Sequence, residues 1–258
     1  MTLNDFLTQI QPADIAPLID HTVLSALTSQ ADITRVVEEA KQHRFAAVCI
    51  PPRFVEYAAK ELEGSAIGIA TVVNFPLANE DIRTVSYATQ LAIEAGATEI
   101  DMVANPNLVG KSAYAEQIRA VAETVKLCSG NVLKVIIEAG YLTPEQVIEA
   151  ATTIAIIARD IPDLRFFTKT STGMAVSKLL VPKYSSAGVI GARVEDLEKI
   201  YTAHQNTGVT IGIKASGGIS TFDEAAKALY AMGARYRNDL VPTMYRIGAS
   251  AGVKIIGH

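Results

Sequence analysis

Lys169 and Lys214 occupy runs that are otherwise apolar or small: Phe166-Phe167-Thr168-Lys169-Thr170-Ser171-Thr172-Gly173 and Ile211-Gly212-Ile213-Lys214-Ala215-Ser216-Gly217-Gly218. Both runs read as strands buried on two faces, where a lysine needs a partner or a task. An ammonium taken out of water loses basicity, and a second cation nearby lowers it further, so two such lysines together can yield a neutral, nucleophilic amine. That is the chemistry of a Schiff base with a carbonyl compound. Structural assignments compete with it. The Lys169 stem could cross the wall of the fold with its head in water or on an acid, and Lys214 could serve in an ion pair with Asp101 or Glu138.

Other polar residues intrude on apolar segments. Asp101, in Glu99-Ile100-Asp101-Met102-Val103, is either a general acid/base or a buried counter-ion. Lys134 and Glu138 are an even number of positions apart, which places both on one face of a strand as a supporting charge network. Asp20 precedes His21, and a hydrogen-bonded structural role fits that histidine. Cys49 reads as a small core residue with no histidine beside it in sequence to make it a nucleophile. Three glycine-rich ends, Ser171-Thr172-Gly173, Ser216-Gly217-Gly218 and Gly248-Ala249-Ser250, would let backbone N–H groups approach an anion closely. Beside a lysine pair they suggest a phosphorylated carbonyl substrate.

Eight short strands account for the positions of these groups. They are expected at Ala16 to Asp20, Ala46 to Ile50, Gly68 to Phe75, Glu99 to Ala104, Val132 to Ala139, Phe166 to Thr172, Thr210 to Ser216 and Arg246 to Ala249. Helical periodicity fills the intervals: Ala31 to His43, Pro52 to Leu62, Asn79 to Ala95, Ala113 to Ser129, Pro144 to Arg159, Val194 to Gln205 and Phe222 to Met232. Thr143-Pro144-Glu145 and Thr221-Phe222-Asp223-Glu224 carry helix-start signals. Alternation of this kind predicts an α/β fold, a single (β/α)8 barrel domain over residues 1–258 with a short N-terminal extension, and puts the strand C-terminal ends at one mouth. No GxGxxG follows the first strand, which argues against a dinucleotide-binding open sheet.

Composition excludes several classes. The chain has 258 residues, 49% of them hydrophobic, which suits one barrel core. A net charge of -4 with scattered basic residues argues against a nucleic-acid partner. Two cysteines, Cys49 and Cys128, give no disulfide framework. Without a signal-peptide pattern or a long apolar run, no membrane partner and a cytoplasmic location are expected. The four histidines are dispersed, with His204 and His258 expected at the surface, so neither a metal site nor any other cofactor is expected. Exposed apolar helix positions make a homodimer the expected assembly.

The chain resembles the deoxyribose-phosphate aldolases, a class I aldolase family. The resemblance rests on Lys169-Thr170-Ser171-Thr172-Gly173, Ile213-Lys214-Ala215-Ser216-Gly217-Gly218 and Glu99-Ile100-Asp101-Met102-Val103. It extends to Lys134-Val135-Ile136-Ile137-Glu138, Ile19-Asp20-His21-Thr22-Val23-Leu24, Val48-Cys49-Ile50-Pro51-Pro52, Asn74-Phe75-Pro76-Leu77 and Arg246-Ile247-Gly248-Ala249-Ser250, so it covers nearly the whole chain. It implies a Schiff base at Lys169, with Lys214 holding its pKa down and Asp101 moving protons. It also implies a substrate-binding set of Asp20, Cys49, Lys134, Glu138, Thr172, Gly173, Gly217, Gly218, Gly248, Ala249 and Ser250. Small aldehydes and sugar phosphates would be the ligands, with Thr172, Gly173 and the glycine-rich ends lining the phosphate. Another Schiff-base barrel lyase or transaldolase, or a sugar-phosphate-binding barrel without catalysis, is the alternative reading. Ser220 stands where many family members carry arginine, and Met174 where some carry lysine. Weaker phosphate discrimination follows from those two positions. The stretch from Met174 to Ile190 is longer than usual there, and its Leu179-Leu180-Val181-Pro182 core suggests a lid or a subunit contact, with an ordered surface excursion as the alternative.

Overall fold

A computed structural model describes residues 1–128, 132–174 and 191–257. Eight parallel strands close into a barrel in sequence order. They are β1 Ile19–Thr22, β2 Ala47–Ile50, β3 Gly68–Val73, β4 Glu99–Val103, β5 Val132–Ile136, β6 Arg165–Lys169, β7 Gly212–Ser216 and β8 Tyr245–Ala249, with β1 pairing β8 through Ile19, Asp20 and His21. Two short helices, α1 Leu3–Gln9 and α2 Pro12–Ile15, precede the barrel. The outer ring contains α3 Gln30–His43, α4 Val55–Glu61, α5 Ile82–Glu94, α6 Ser112–Leu127, α7 Pro144–Asp160, α8 Val194–Thr207 and α9 Phe222–Ala231, and α10 Gly252–Ile255 closes the chain.

All eight expected strands form. The first begins three residues later than expected, because Ala16–Leu18 closes a tight 3-10 turn led by Pro17. Thr143 and Thr221 make reciprocal capping boxes with Gln146 and Glu224, so both helix starts fall where the sequence places them. The lid or subunit contact expected around Leu179-Leu180-Val181-Pro182 lies outside the described residues.

Period-two alternation separates two environments across each strand. Ile19, Val48, Ile50, Ile69, Ile100, Met102, Leu133, Val135, Ile213 and Ile247 join one large apolar cluster with the helices. The alternate set includes Asp20, Glu99, Asp101, Lys134, Lys169, Lys214 and Arg246, all nearly inaccessible to solvent. Barrel interiors are ordinarily filled by branched apolar side chains. Here the inward positions of β4 to β8 and β1 are largely charged, while Ala47, Cys49, Ala70 and Val72 from β2 and β3 form a small apolar wall.

Candidate active site

Three carboxylates and four basic side chains form one linked cluster inside the barrel. Lys169 Nζ donates to Asp101 Oδ2 at 2.8 Å, and Lys214 Nζ donates to the same oxygen at 2.8 Å. Lys214 also reaches Asp20 Oδ2 at 2.5 Å, and Lys134 reaches that atom at 2.9 Å. Lys134 pairs with Asp101 Oδ1 at 3.0 Å and with Glu99 Oε2, while Arg246 joins Asp20 Oδ1 at 2.5 Å and Glu99 Oε1 at 2.9 Å. The Lys134–Asp101 contact is an ion pair without hydrogen-bond alignment, since Asp101 Oδ1 accepts no hydrogen bond. Asp20 and Asp101 therefore share Lys214 and Lys134, and Lys169 sits at the end of the chain with Asp101 as its sole carboxylate contact among the described residues.

That position separates the lysines chemically. Burial lowers the pKa of Lys169 from the ordinary lysine value; Asp101 opposes the shift and the Lys214 ammonium adds to it. Lys214 and Lys134 lose basicity to burial as well, but two or more carboxylates each outweigh that loss and leave both raised. Asp101 is held well below the usual carboxylate range by Lys134, Lys169 and Lys214, which overcome its own burial. The ion pair expected of Lys214 forms with Asp101, and with Asp20 in place of Glu138. Lys214 is thus an ion-pair partner of both aspartates, and its ammonium adds to the effect of burial on Lys169.

Glu138 is not in this cluster, contrary to the expected shared face with Lys134. The β5 ladder ends at Ile136, and Glu138 turns into the left-handed region (φ 49°) to start a 3-10 turn over Ala139–Tyr141, so alternation no longer applies. Its carboxylate instead accepts from the Thr172 backbone N–H at 3.2 Å, and burial pushes its pKa up. Lys134, fully occupied by three carboxylates, belongs to the supporting network. Cys49 is buried beside the lysines with its thiol pKa raised by burial, which keeps it neutral. His204 is a second correction. It is buried on α8, its Nε2 3.0 Å from Thr168 Oγ1 on the outer side of β6, and burial pushes its pKa down to about 4. A helix-facing position among apolar neighbours was the signal; His258 lies outside the described residues. His21 is buried and bonded to Glu39, as a structural histidine should be.

Glu99 and Arg246 belong to the linked cluster, which single-residue reading of the sequence does not expose. Glu99 stands two positions before Asp101, a spacing that put it on the same inward face. Ser171 is fully buried just past β6, and its Oγ has no hydrogen-bond partner among the described residues. Thr170 Oγ1 accepts from Ser216 N at 3.1 Å and ties the ends of β6 and β7 together. There Gly173 (φ 75°) and Gly217 (φ 91°) pack backbone to backbone; a Cβ on Gly217 would fall 3.3 Å from Gly173 Cα and 2.9 Å from Gly191 Cα.

Gly248 lies within β8, where a Cβ would come 2.9 Å from both Lys214 Cε and Ser216 Oγ. Its missing side chain makes room for the Lys214 stem. Gly248→Ala is expected to displace that ammonium and lower kcat by about tenfold to a hundredfold, the usual cost of an ångström-scale misplacement. Steady-state kinetics with a thermal melt check this; wild-type kcat in a folded G248A would remove the packing role.

A cavity of about 1440 Å³ opens on the opposite side, lined by residues that lead into the strands, among them Ala46, Gly68, Val132, Arg165, Gly212 and Met244. It contains none of Asp101, Lys169 and Lys214, so cavity size does not mark the chemistry here. A smaller one, about 310 Å³, lies between Leu24, Pro51, Val72 and Phe75 near the ends of β1 to β3. Among the described residues no group of three or more His, Cys, Asp or Glu is arranged for a metal ion, and no helix is long and apolar enough to cross a membrane.

A closed parallel barrel whose interior holds a lysine against an acid and a second lysine fits an aldolase. The chain belongs to the DeoC/LacD family of aldolases, whose family model matches residues 15–258. The deoxyribose-phosphate aldolase of Bacillus cereus (strain AH820) is 36% identical over 244 residues, covering 94% of this chain and 95% of the relative. A structure from Coccidioides immitis assigned to the same aldolase superimposes with a TM-score of 0.79 at 26% identity, covering 99% of this chain and 97% of that one. The tetrameric deoxyribose phosphate aldolase of Aeropyrum pernix gives 0.77 at 25% identity, covering 98% and 94%.

Proposed function

We propose that Lys169 is the imine-forming nucleophile of a single-domain class I aldolase. The enzyme reversibly cleaves 2-deoxy-D-ribose 5-phosphate to D-glyceraldehyde 3-phosphate and acetaldehyde, a step of deoxyribonucleoside catabolism. The observation that carries the assignment is Asp101 Oδ2, which accepts from Lys169 and Lys214 at 2.8 Å each in a buried site. A carboxylate already occupied by Lys214 and Lys134 has less charge left to stabilise a Lys169 ammonium, so the free amine is favoured. Nζ attacks C1 of the open-chain sugar, and the carbinolamine loses water to give a protonated imine. That iminium accepts the electron pair of the C2–C3 bond as the C3 hydroxyl gives up its proton, and glyceraldehyde 3-phosphate leaves. The enamine is then protonated at C2, and water releases acetaldehyde.

Asp101, in contact with both lysines, is the proton carrier next to the imine, and Lys214 restores its charge balance. Glu138, with its raised pKa and its hold on Thr172, suits proton exchange and ordering at the mouth. Thr172, Gly173, Gly217, Gly218, Ala249 and Ser250 supply backbone and hydroxyl donors for the phosphate end. Asp20, Lys134 and Cys49 shape the interior behind the aldehyde. Borohydride reduction with acetaldehyde, followed by mass mapping, tests the assignment. A label on Lys169 is expected, and its absence there would overturn the mechanism.

The phosphate end departs from a cation-rich design. Ser220 spends its N–H and its hydroxyl on Glu224 Oε2, at 2.8 and 3.2 Å, as part of the α9 cap. The expected result is a smaller ratio of kcat/KM for deoxyribose 5-phosphate over deoxyribose than in relatives with arginine at that position. An equally large ratio, measured side by side, would count against it. Support for a homodimer comes from Tyr87 and Leu91, exposed one turn apart on α5 at 61% and 46%.

A further inference from the structure

Beneath the reacting groups, Glu99 and Arg246 make a pair whose members each also hold one of the acids or lysines above. Arg246 holds Asp20, and Glu99 holds Lys134. Each of the pair is only 5% exposed, and both line the 1440 Å³ cavity on the face away from the substrate mouth. Neither touches Lys169. The linked cluster nevertheless has a fixed charge count: Asp20, Glu99 and Asp101 are matched by Lys134, Lys214 and Arg246, and Lys169 is the seventh member, so the cluster is neutral when Lys169 is an amine.

We propose that Glu99 and Arg246 are positioning residues that fix the protonation state of Lys169 by setting how many cations remain for Asp101. This rests on Lys169 being the imine-forming residue. With Arg246 in place, Asp20 needs only a share of Lys134 and Lys214, and the remainder of both goes to Asp101. Without Arg246, Asp20 draws both lysines toward itself, and Asp101 is left to stabilise a Lys169 ammonium. Glu99 acts in the opposite sense, because it holds Lys134 back from the two aspartates. Loss of its charge releases Lys134 to Asp101, which then has less to offer Lys169.

The other ionisable groups around Lys169 do not alter that logic. Cys49 on β2 stays a thiol, and Glu138, beyond β5, is held by Thr172 outside the linked cluster. Water from the lower cavity can reach the positions of Glu99 and Arg246, so neutral amides there need not be left without partners.

The test is the pH dependence of borohydride trapping of acetaldehyde on Lys169, read by mass mapping in the full chain. Wild type is compared with Glu99→Gln, Arg246→Gln, the double variant and Arg246→Lys. The trapping midpoint should fall by about one pH unit in E99Q and rise by about one unit in R246Q, the scale of one charge lost from a buried cluster. The double variant and R246K should return close to the wild-type midpoint. General loosening of the barrel would admit water and move every variant the same way, toward an ordinary lysine, so shifts of equal sign would overturn the proposal, as would no shift. If R246Q does not fold, the downward move in E99Q decides alone, since loosening cannot produce it. Failure of the underlying mechanism looks different: wild type itself would carry no label on Lys169.

Discussion

Lys169→Met is expected to lower kcat by four orders of magnitude or more while the barrel stays folded. Loss of a covalent nucleophile costs rates on the order of 10⁴ to 10⁶ in enzymes that use one, because no remaining group can form the intermediate. Methionine has a similar reach and flexibility, and it fills the same buried volume without an amine. The charge count favours it as well. Asp20, Glu99 and Asp101 stay matched by Lys134, Lys214 and Arg246, so the substitution leaves no unpaired ion. The thermal midpoint should therefore stay at or above that of wild type, since removing a desolvated polar group from a cluster that balances without it is close to neutral in stability. Kinetics and a melt on one preparation check both halves. Activity within tenfold of wild type would reassign the nucleophile. A large fall in melting temperature would show that Lys169 is charged in the resting protein and needed as a counter-ion.

The barrel was readable because its outward strand faces keep the expected apolar pattern, as in Val48 and Ile50, or Ile100 and Met102, and because helix starts such as Thr143 and Thr221 carry their caps locally. The lysines stood out for the same reason: a charge in an apolar run is visible one residue at a time. What pairs with what was not visible. Lys134 meets Asp20 across 114 positions of sequence and Lys214 meets it across 194, contacts that only barrel closure creates. Glu99 and Arg246 are hard to read because each sits at or near a strand start, where a charge ordinarily reads as solvated. Their inward direction follows only from counting in twos from Asp101 and Gly248. Glu138 is the opposite case, since alternation from Lys134 stops applying once its left-handed backbone leaves the sheet. A polar residue late in a helix ordinarily reads as a surface group, whereas the α8 stripe turns His204 onto Thr168.

Lys214→Met should leave a folded enzyme whose activity at neutral pH falls by about a hundredfold to a thousandfold and recovers in part as pH rises. Two effects add. Asp101 Oδ2 loses one of its two donors, so its charge turns to Lys169, and the Coulombic push of a neighbouring ammonium on Lys169 disappears. Both stabilise the Lys169 ammonium, by about two to three pKa units for an opposite charge freed at contact distance. Each unit removes about nine-tenths of the free amine present at a pH below the new value. Stability should fall by less than the ~3–5 kcal/mol of a buried ion left unpaired, because the Lys169 ammonium restores the cation count while Arg246 on Asp20 and Lys134 on both aspartates stay in place; what is lost is the Lys214 contact with Asp20. The pH profile of kcat/KM separates this from simple damage. A variant inactivated by misplacement keeps its loss at every pH, whereas a variant whose nucleophile is protonated regains rate above neutrality with the slope of a single deprotonation. If K214M were equally depressed from pH 7 to pH 10, Lys214 would act in positioning or proton delivery and not through the charge state of Lys169.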